Sequence, residues 1–407
     1  MKRYALSLLA LGLATSLIGC SQKAFMQPEP PPQVTMKVVS AQPVVQPLPV
    51  AQKKQEERQL TLLAVGDIMV HQEQLEAAWD PKKKVYDFAP FFAKVAPLLK
   101  QGDVVLGNLE TTLAGSQSRY TGYPQFNSPE SLAPLLKQVG FSAVTTANNH
   151  SLDRREAGVL ATIAHLDQAG LPHTGTFRSA EERNQPLFLE KNGIKLAVLS
   201  YTYGTNGIPI PKGKPYLVNL IQPALIKQDV TRAKLMGADL VAVALHFGNE
   251  YQRLPNQAQK NIADMSIQAG ADLIIGHHPH VVQPYEWRTV TMADGSKRTG
   301  FVAYSLGNFV SAQRRDYKDV GAILKLDIRK QADGKTVINH SEIIPTYVHY
   351  YRQAGKRNYV IYPLPQTLQA NAPRDPQINA DTYRYMQRIY QEIMKHVASI
   401  SGQKKTG

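Results

Sequence analysis

Between residues 60 and 280 the chain repeats one pattern: a short apolar run stops on side chains that can offer a lone pair. Leu60 to Val65 leads to Gly66-Asp67, Asp103 to Leu106 to Gly107-Asn108-Leu109-Glu110, and Phe141 to Thr146 to Ala147-Asn148-Asn149-His150. Asp239 to Leu245 leads to His246-Phe247-Gly248-Asn249-Glu250, and Ala271 to Ile275 to Gly276-His277-His278-Pro279-His280. Runs of this kind, closed by Gly and polar residues, read as strands. Helical spacing fills the gaps: Phe88 to Lys100, Pro129 to Val139 with Ser128 as N-cap, Glu156 to Ala169, Pro223 to Met236 and Asn256 to Ala269. Ile194 to Tyr201, Phe301 to Leu306 and Val320 to Ile328 read as further strands. This alternation constrains the chain to an α/β fold with a mainly parallel or mixed sheet. In such sheets ligands sit at the carboxyl ends of the strands.

An isolated Asn or Asp after a strand is ordinarily a turn residue. A succession of oxygen and imidazole donors at strand ends calls for a shared metal or substrate centre. The histidine cluster taken alone has a bland alternative, a solvated turn. Inside a core, three neighbouring imidazoles would each need a partner for a polar nitrogen. Carboxylate, amide and imidazole together suit Mn, Fe or Zn better than Ca, so a divalent cation is expected. Ser151 with His150 and Asp153 has the residue types of a hydrolytic triad. Three neighbours on one loop do not form a nucleophile-base-orienter line, and a serine hydrolase is disfavoured. Tyr120 to Pro129 is an aromatic-rich loop that either lines the mouth of the site or packs over the sheet.

The N-terminus carries a different message. Lys2 and Arg3 precede the apolar stretch Ala5 to Leu17, which ends in Leu17-Ile18-Gly19-Cys20. This reads as a secretory signal over residues 1–20. Cys20 is the only cysteine and is expected to be lipidated. Residues 21–59 are rich in proline and read as a semi-rigid tether. The main domain is expected over 60–350, and 351–407 as a C-terminal helical extension, with Asp381 to Ser399 at helical spacing. The expected location is the cell envelope, outside the cytoplasm. Ser21 rather than Asp after the cysteine favours the outer membrane in a Gram-negative cell. The formal net charge is +14, but the basic residues are scattered and no nucleic-acid motif appears. Phospholipid or an anionic polymer is the favoured neighbour, against the alternative of a solvated basic surface.

The strand-end series resembles the poly-γ-glutamate capsule biosynthesis proteins of the CapA type, within the metallo-dependent phosphatase-like superfamily. The stretches that carry the resemblance run in family order from Ala64-Val65-Gly66-Asp67 to Tyr304-Ser305-Leu306-Gly307-Asn308-Phe309. It implies a four-layer α/β/β/α sandwich with the site at one edge. It also implies metal ligation by Asp67, Asn149, His246, His278 and His280, with His150 touching the scissile group. Glu110 is a candidate base. Asn108, His277, Glu250, Ser305 and Asn308 would support the ligands or line the pocket. The chain departs from the superfamily at two places. Ile68 and Met69 follow Asp67 where a histidine is usual, leaving His71 as the nearest imidazole, and Asn108 or Glu110 must stand in for a bridging aspartate. One or two cations are therefore expected. The function implied is capsule or poly-γ-glutamate assembly, in company with polymer-synthesis proteins. The alternatives are a general metal-dependent phosphoesterase and a non-catalytic polymer-binding scaffold.

Overall fold

The computed structural model describes residues 56–369 and 375–400. The signal segment, Cys20 and nearly all of the tether lie outside the described residues. Among the described residues no helix is long and apolar enough to cross a membrane.

Two sheets form the middle of the molecule. The first is mixed, in the spatial order 356–363, 336–353, 320–330, 58–68, 104–109, 143–145 and 173–174, with Asn308–Val310 beside the end of Arg58–Ile68. Arg58–Ile68 is its pivot. It pairs parallel with Val104–Leu109 on one side and antiparallel with Val320–Lys330 on the other. The second sheet has the order 285–291, 297–303, 273–277, 240–246, 194–202 and 187–191. Its centre is parallel and both edge strands are antiparallel.

The sandwich follows from the period of the strands. Successive side chains point to opposite faces, so a strand covered on both sides reads as a continuous apolar run. Leu60, Leu62 and Ala64 face the second sheet, while Leu63 and Val65 face a helical layer containing Leu132–Val139. In the second sheet Leu240 and Ala242 face the first sheet. Val241, Val243 and Leu245 face Pro223–Leu235 and Gln257–Gln268. The layer order is thus α/β/β/α, as the resemblance implied. Each fully buried Val, Leu or Ile contributes about 1.5–3 kcal/mol, so the inter-sheet layer and the two helix-covered outer faces all stabilise the sandwich.

Several local expectations are corrected. Phe88 to Lys100 is two short helices, Ala89–Phe92 and Ala96–Leu99, because Pro90 and Pro97 each start a new turn and cannot continue the preceding one. The next helix begins at Leu132. Ser128 does not cap it, since its hydroxyl meets Thr111 Oγ1 at 2.8 Å. The strand expected at Phe301 to Leu306 runs instead from Lys297 to Ala303. A domain boundary at residue 350 falls inside the strand Thr336–Gln353, whose partner Lys356–Pro363 completes the first sheet. Sequence beyond 350 is therefore part of the sandwich before it becomes helical. The helix Ala380–Val397 then closes the edge of the inter-sheet layer with Met386, Ile389, Ile393 and Val397.

Candidate metal centre

The parallel strands at the middle of both sheets end at one place. Arg58–Ile68 delivers Asp67, Val104–Leu109 delivers Asn108 and, one residue on, Glu110. Leu240–His246 and Leu273–His277 deliver His246 and the histidine cluster. Close approach of the backbones depends on two glycines. A Cβ on Gly66 would stand 1.9 Å from the Gly307 carbonyl oxygen, and one on Gly276 would stand 1.9 Å from that of Tyr304. The backbone is also strained here, with φ of 99° at His278 and 59° at His280. Left-handed backbone at a non-glycine residue costs on the order of 1 kcal/mol and persists where surrounding structure enforces it.

The donor atoms converge. Asp67 Oδ2 is 3.2 Å from His280 Nδ1, and Asp67 Oδ1 is 3.3 Å from His277 Nδ1. Glu110 Oε1 lies 3.5 Å from His246 Nε2 and 3.8 Å from His280 Nε2. Asn149 Oδ1 is 2.9 Å from His246 Nε2. Two triads stand out, Asp67-Glu110-His246 and Glu110-His278-His280, each with its donor atoms within 4.8 Å of one another. All are buried. Glu110 belongs to both.

Burial sets the protonation of the cluster. It pushes His246 well below the usual imidazole range and His278 to about 3, with neighbouring imidazoles adding to each effect. The rings are therefore neutral and keep a lone pair. Burial opposes ionisation of Asp67, but the His277 and His280 imidazoles outweigh it and hold this carboxyl well below its usual range. Glu110 goes the other way: burial, then the charges of Asp67 and Glu250, push it well above.

Residues 61–313 match the family of bacterial capsule synthesis proteins called PGA_cap. The chain belongs to that family. It is 31% identical over 269 residues to the capsule biosynthesis protein CapA of Bacillus anthracis, an alignment covering 64% of this chain and 62% of that protein. To the PGA biosynthesis protein CapA of Bacillus subtilis (strain 168) it is 28% identical over 262 residues, covering 63% of this chain and 65% of the relative. The match thus spans less than two thirds of either relative. Among solved structures, the calcineurin-like phosphoesterase YfkN from Bacillus subtilis aligns with a TM-score of 0.43 and 16% identity, over 84% of this chain and 99% of that one. The NAD nucleotidase of Haemophilus influenzae aligns with a TM-score of 0.47 and 14% identity, over 84% and 68%.

The side chains of this PGA_cap domain fit a divalent cation. Ligand atoms about 2.1 Å from one ion lie roughly 3–3.4 Å apart, and the Asn149–His246 and Glu110–His246 separations of 2.9 and 3.5 Å stand close to that range. Glu110 Oε1 and His278 Nδ1 are buried without a hydrogen-bond partner, an expensive condition that a cation would relieve at the carboxylate. Carboxylate, amide and imidazole donors are the set that Mn, Fe and Zn accept.

The other predicted residues divide by position. Asn108 is buried among the donors, but its amide is fully engaged. Nδ2 donates to Asp67 Oδ1 at 2.8 Å, and Oδ1 accepts from Asn148 Nδ2 at 3.3 Å. His150 points its Nδ1 at Asp153 Oδ2, 2.7 Å away, and that oxygen also accepts the Phe126 N–H. Asp153 is thus the orienter of His150, while Ser151 Oγ donates to backbone carbonyls of its own loop. Glu250 is exposed at the rim. Ser305 Oγ accepts the Gly307 N–H, which makes it a turn residue. Asn308 stands in register beside Asp67, and its Nδ2 donates to the Lys318 carbonyl at 2.7 Å.

Sequence reasoning missed Asn148, Tyr203 and the orienting role of Asp153. The His150-x-x-Asp153 spacing was a usable signal for Asp153. Nothing marked Tyr203, whose ring lies 4.6 Å from that of His278. His71, four residues past Asp67, is held on the flank. Its Nδ1 accepts the Ala312 N–H at 3.3 Å and its ring meets Phe126 edge-on at 5.1 Å.

Proposed function

We propose that this chain is an exported, lipid-anchored capsule synthesis protein whose sandwich hydrolyses a phosphoester at a two-cation centre. The observation that carries the reading is the position of Glu110. It is shared by two three-donor groups, where a bridging carboxylate is needed, and its carboxyl lacks any other partner for Oε1. Asp67, Glu110, His246 and Asn149 would hold one cation, and Glu110, His278 and His280 the other. Bound there, cations supply charge neutralisation and a water of lowered pKa.

The protein's own residues do the rest. Asn108 fixes the Asp67 carboxylate, and His277 flanks it. Asp153 accepts the Nδ1 proton of His150 and so reserves Nε2 for exchange with the leaving oxygen. The capsule role is supported by family membership and by CapA relatives named for capsule and PGA biosynthesis. The membrane anchor is supported by the signal-like N-terminus ending at Cys20, and polymer-synthesis proteins at the membrane are the partners it suggests.

A second reading, a non-catalytic polymer-binding subunit, is favoured by Met69. This buried side chain stands two residues after Asp67, where a metal-binding histidine is usual. Metal content of the purified protein, and hydrolysis of a phosphoester panel with added Mn, separate the two. The phosphoesterase reading expects bound cation and turnover, both lost in His278→Ala/His280→Ala. Bound cation without turnover of any ester would favour the scaffold.

A further inference from the structure

Among the described residues, three tyrosines left open to solvent stand around the buried centre: Tyr203 is 49% exposed, Tyr251 45% and Tyr123 75%. Each is fastened to the elements that build it. The Tyr203 N–H donates to the His246 carbonyl at 3.0 Å, and its ring lies nearly parallel to that of His246 at 6.3 Å. The Tyr251 N–H donates to the Pro279 carbonyl at 2.8 Å, placing its ring 6.1 Å from that of His280. Tyr123 sits 6.3 Å from Phe126, whose ring touches that of His150 at 4.7 Å.

Tyr251 holds this position at φ 64°, a backbone conformation that costs a bulky residue free energy. Strain of this kind gathers where a side chain must point at a ligand. At the rim Lys318 Nζ lies 5.0 Å from the Tyr251 ring and 3.6 Å from Asp316 Oδ2, and the exposed Glu250 precedes Tyr251. The three tyrosines offer aromatic faces and hydroxyls to a ligand that enters past them.

We propose that Tyr203, Tyr251 and Tyr123 form a collar that binds the ring-bearing group esterified to the phosphate held at the centre. The substrate class is then a phosphate ester of a ring-bearing alcohol, rather than a bare phosphate. This rests on the phosphoester reading above.

The test is calorimetric titration of the Mn-loaded full chain with inorganic phosphate and with phenylphosphonate, whose P–C bond is not hydrolysed. The collar predicts that phenylphosphonate binds roughly tenfold more tightly. That ratio should fall toward one in Tyr251→Ala and in Tyr203→Leu, with Mn content and thermal unfolding measured beside each to show an intact fold. Tyr251→Phe should retain it. Equal affinities in the unaltered protein, or a ratio unmoved by both substitutions, would overturn the collar and leave the phosphate site standing. Failure of both ligands to bind would overturn the phosphoester reading and the collar with it.

Discussion

Asn108 donates its side-chain amide to Asp67 Oδ1 across 2.8 Å, and the same nitrogen lies 3.4 Å from Glu110 Oε2. A residue that first read as a stand-in for a bridging ligand thus holds two carboxylates in place. Its oxygen is also taken, by Asn148 and Thr145. In the proposed centre the bridging role therefore goes to Glu110.

Asn108→Leu keeps the volume and removes the donor. Partners of this kind orient metal ligands, and their loss costs about 10–100-fold in metal affinity. Competition against a chelating dye should show that weakening in Asn108→Leu. Unchanged affinity would mean that Asp67 needs no support from Asn108.

Asp153→Asn leaves His150 without the carboxylate that accepts its Nδ1 proton. Turnover of a phosphoester should fall by about 10²-fold while metal content stays at the unaltered level. Equal loss of metal and turnover would place Asp153 in the fold rather than beside the proton-transferring histidine.

Burial lowers the His71 imidazole to about 4, and also lowers His349 and His396 below the usual value. The unfolded chain then takes up protons at these positions before the folded one does. Their contribution to stability is complete above about pH 6.5 and is lost as pH falls toward 4. Urea midpoints of the metal-stripped protein should therefore drop across that window. A flat profile between about pH 7 and 5 would contradict the assignment.

Cys20→Ala should move the protein from the membrane fraction to the soluble extract, because a chain with a lipidated cysteine is anchored without a spanning helix. Retention in the membrane fraction after that change would remove lipidation as the anchor.

Much of this was legible in the sequence because covered strands are both continuous and abruptly terminated. The runs before Asp67, Asn108, His246 and His277 are buried on two faces, so hydrophobicity alone marks them. Of the antiparallel half of the first sheet, Val320–Lys330 was legible and the two strands after it were not. In Thr336–Gln353 the polar run Asn339 to Glu342 interrupts the apolar pattern between Val337-Ile338 and the buried stretch Ile343 to Val348. The two short helices after Phe88 were hidden because the apolar spacing runs through the break between them. The shared position of Glu110 depends on bringing two sheets together, a relation no local spacing encodes. Gly66 and Gly276 read only as residues that close a strand. Their importance is steric, since the carbonyls of Gly307 and Tyr304 occupy the space a Cβ would need.

The most direct test is anomalous diffraction from crystals of the Mn-loaded protein. The account predicts two Mn peaks joined by the Glu110 carboxylate, one against Asp67 and His246 and the other against His278 and His280. A single peak with Glu110 outside bonding reach, or no peak within this cluster, would contradict it.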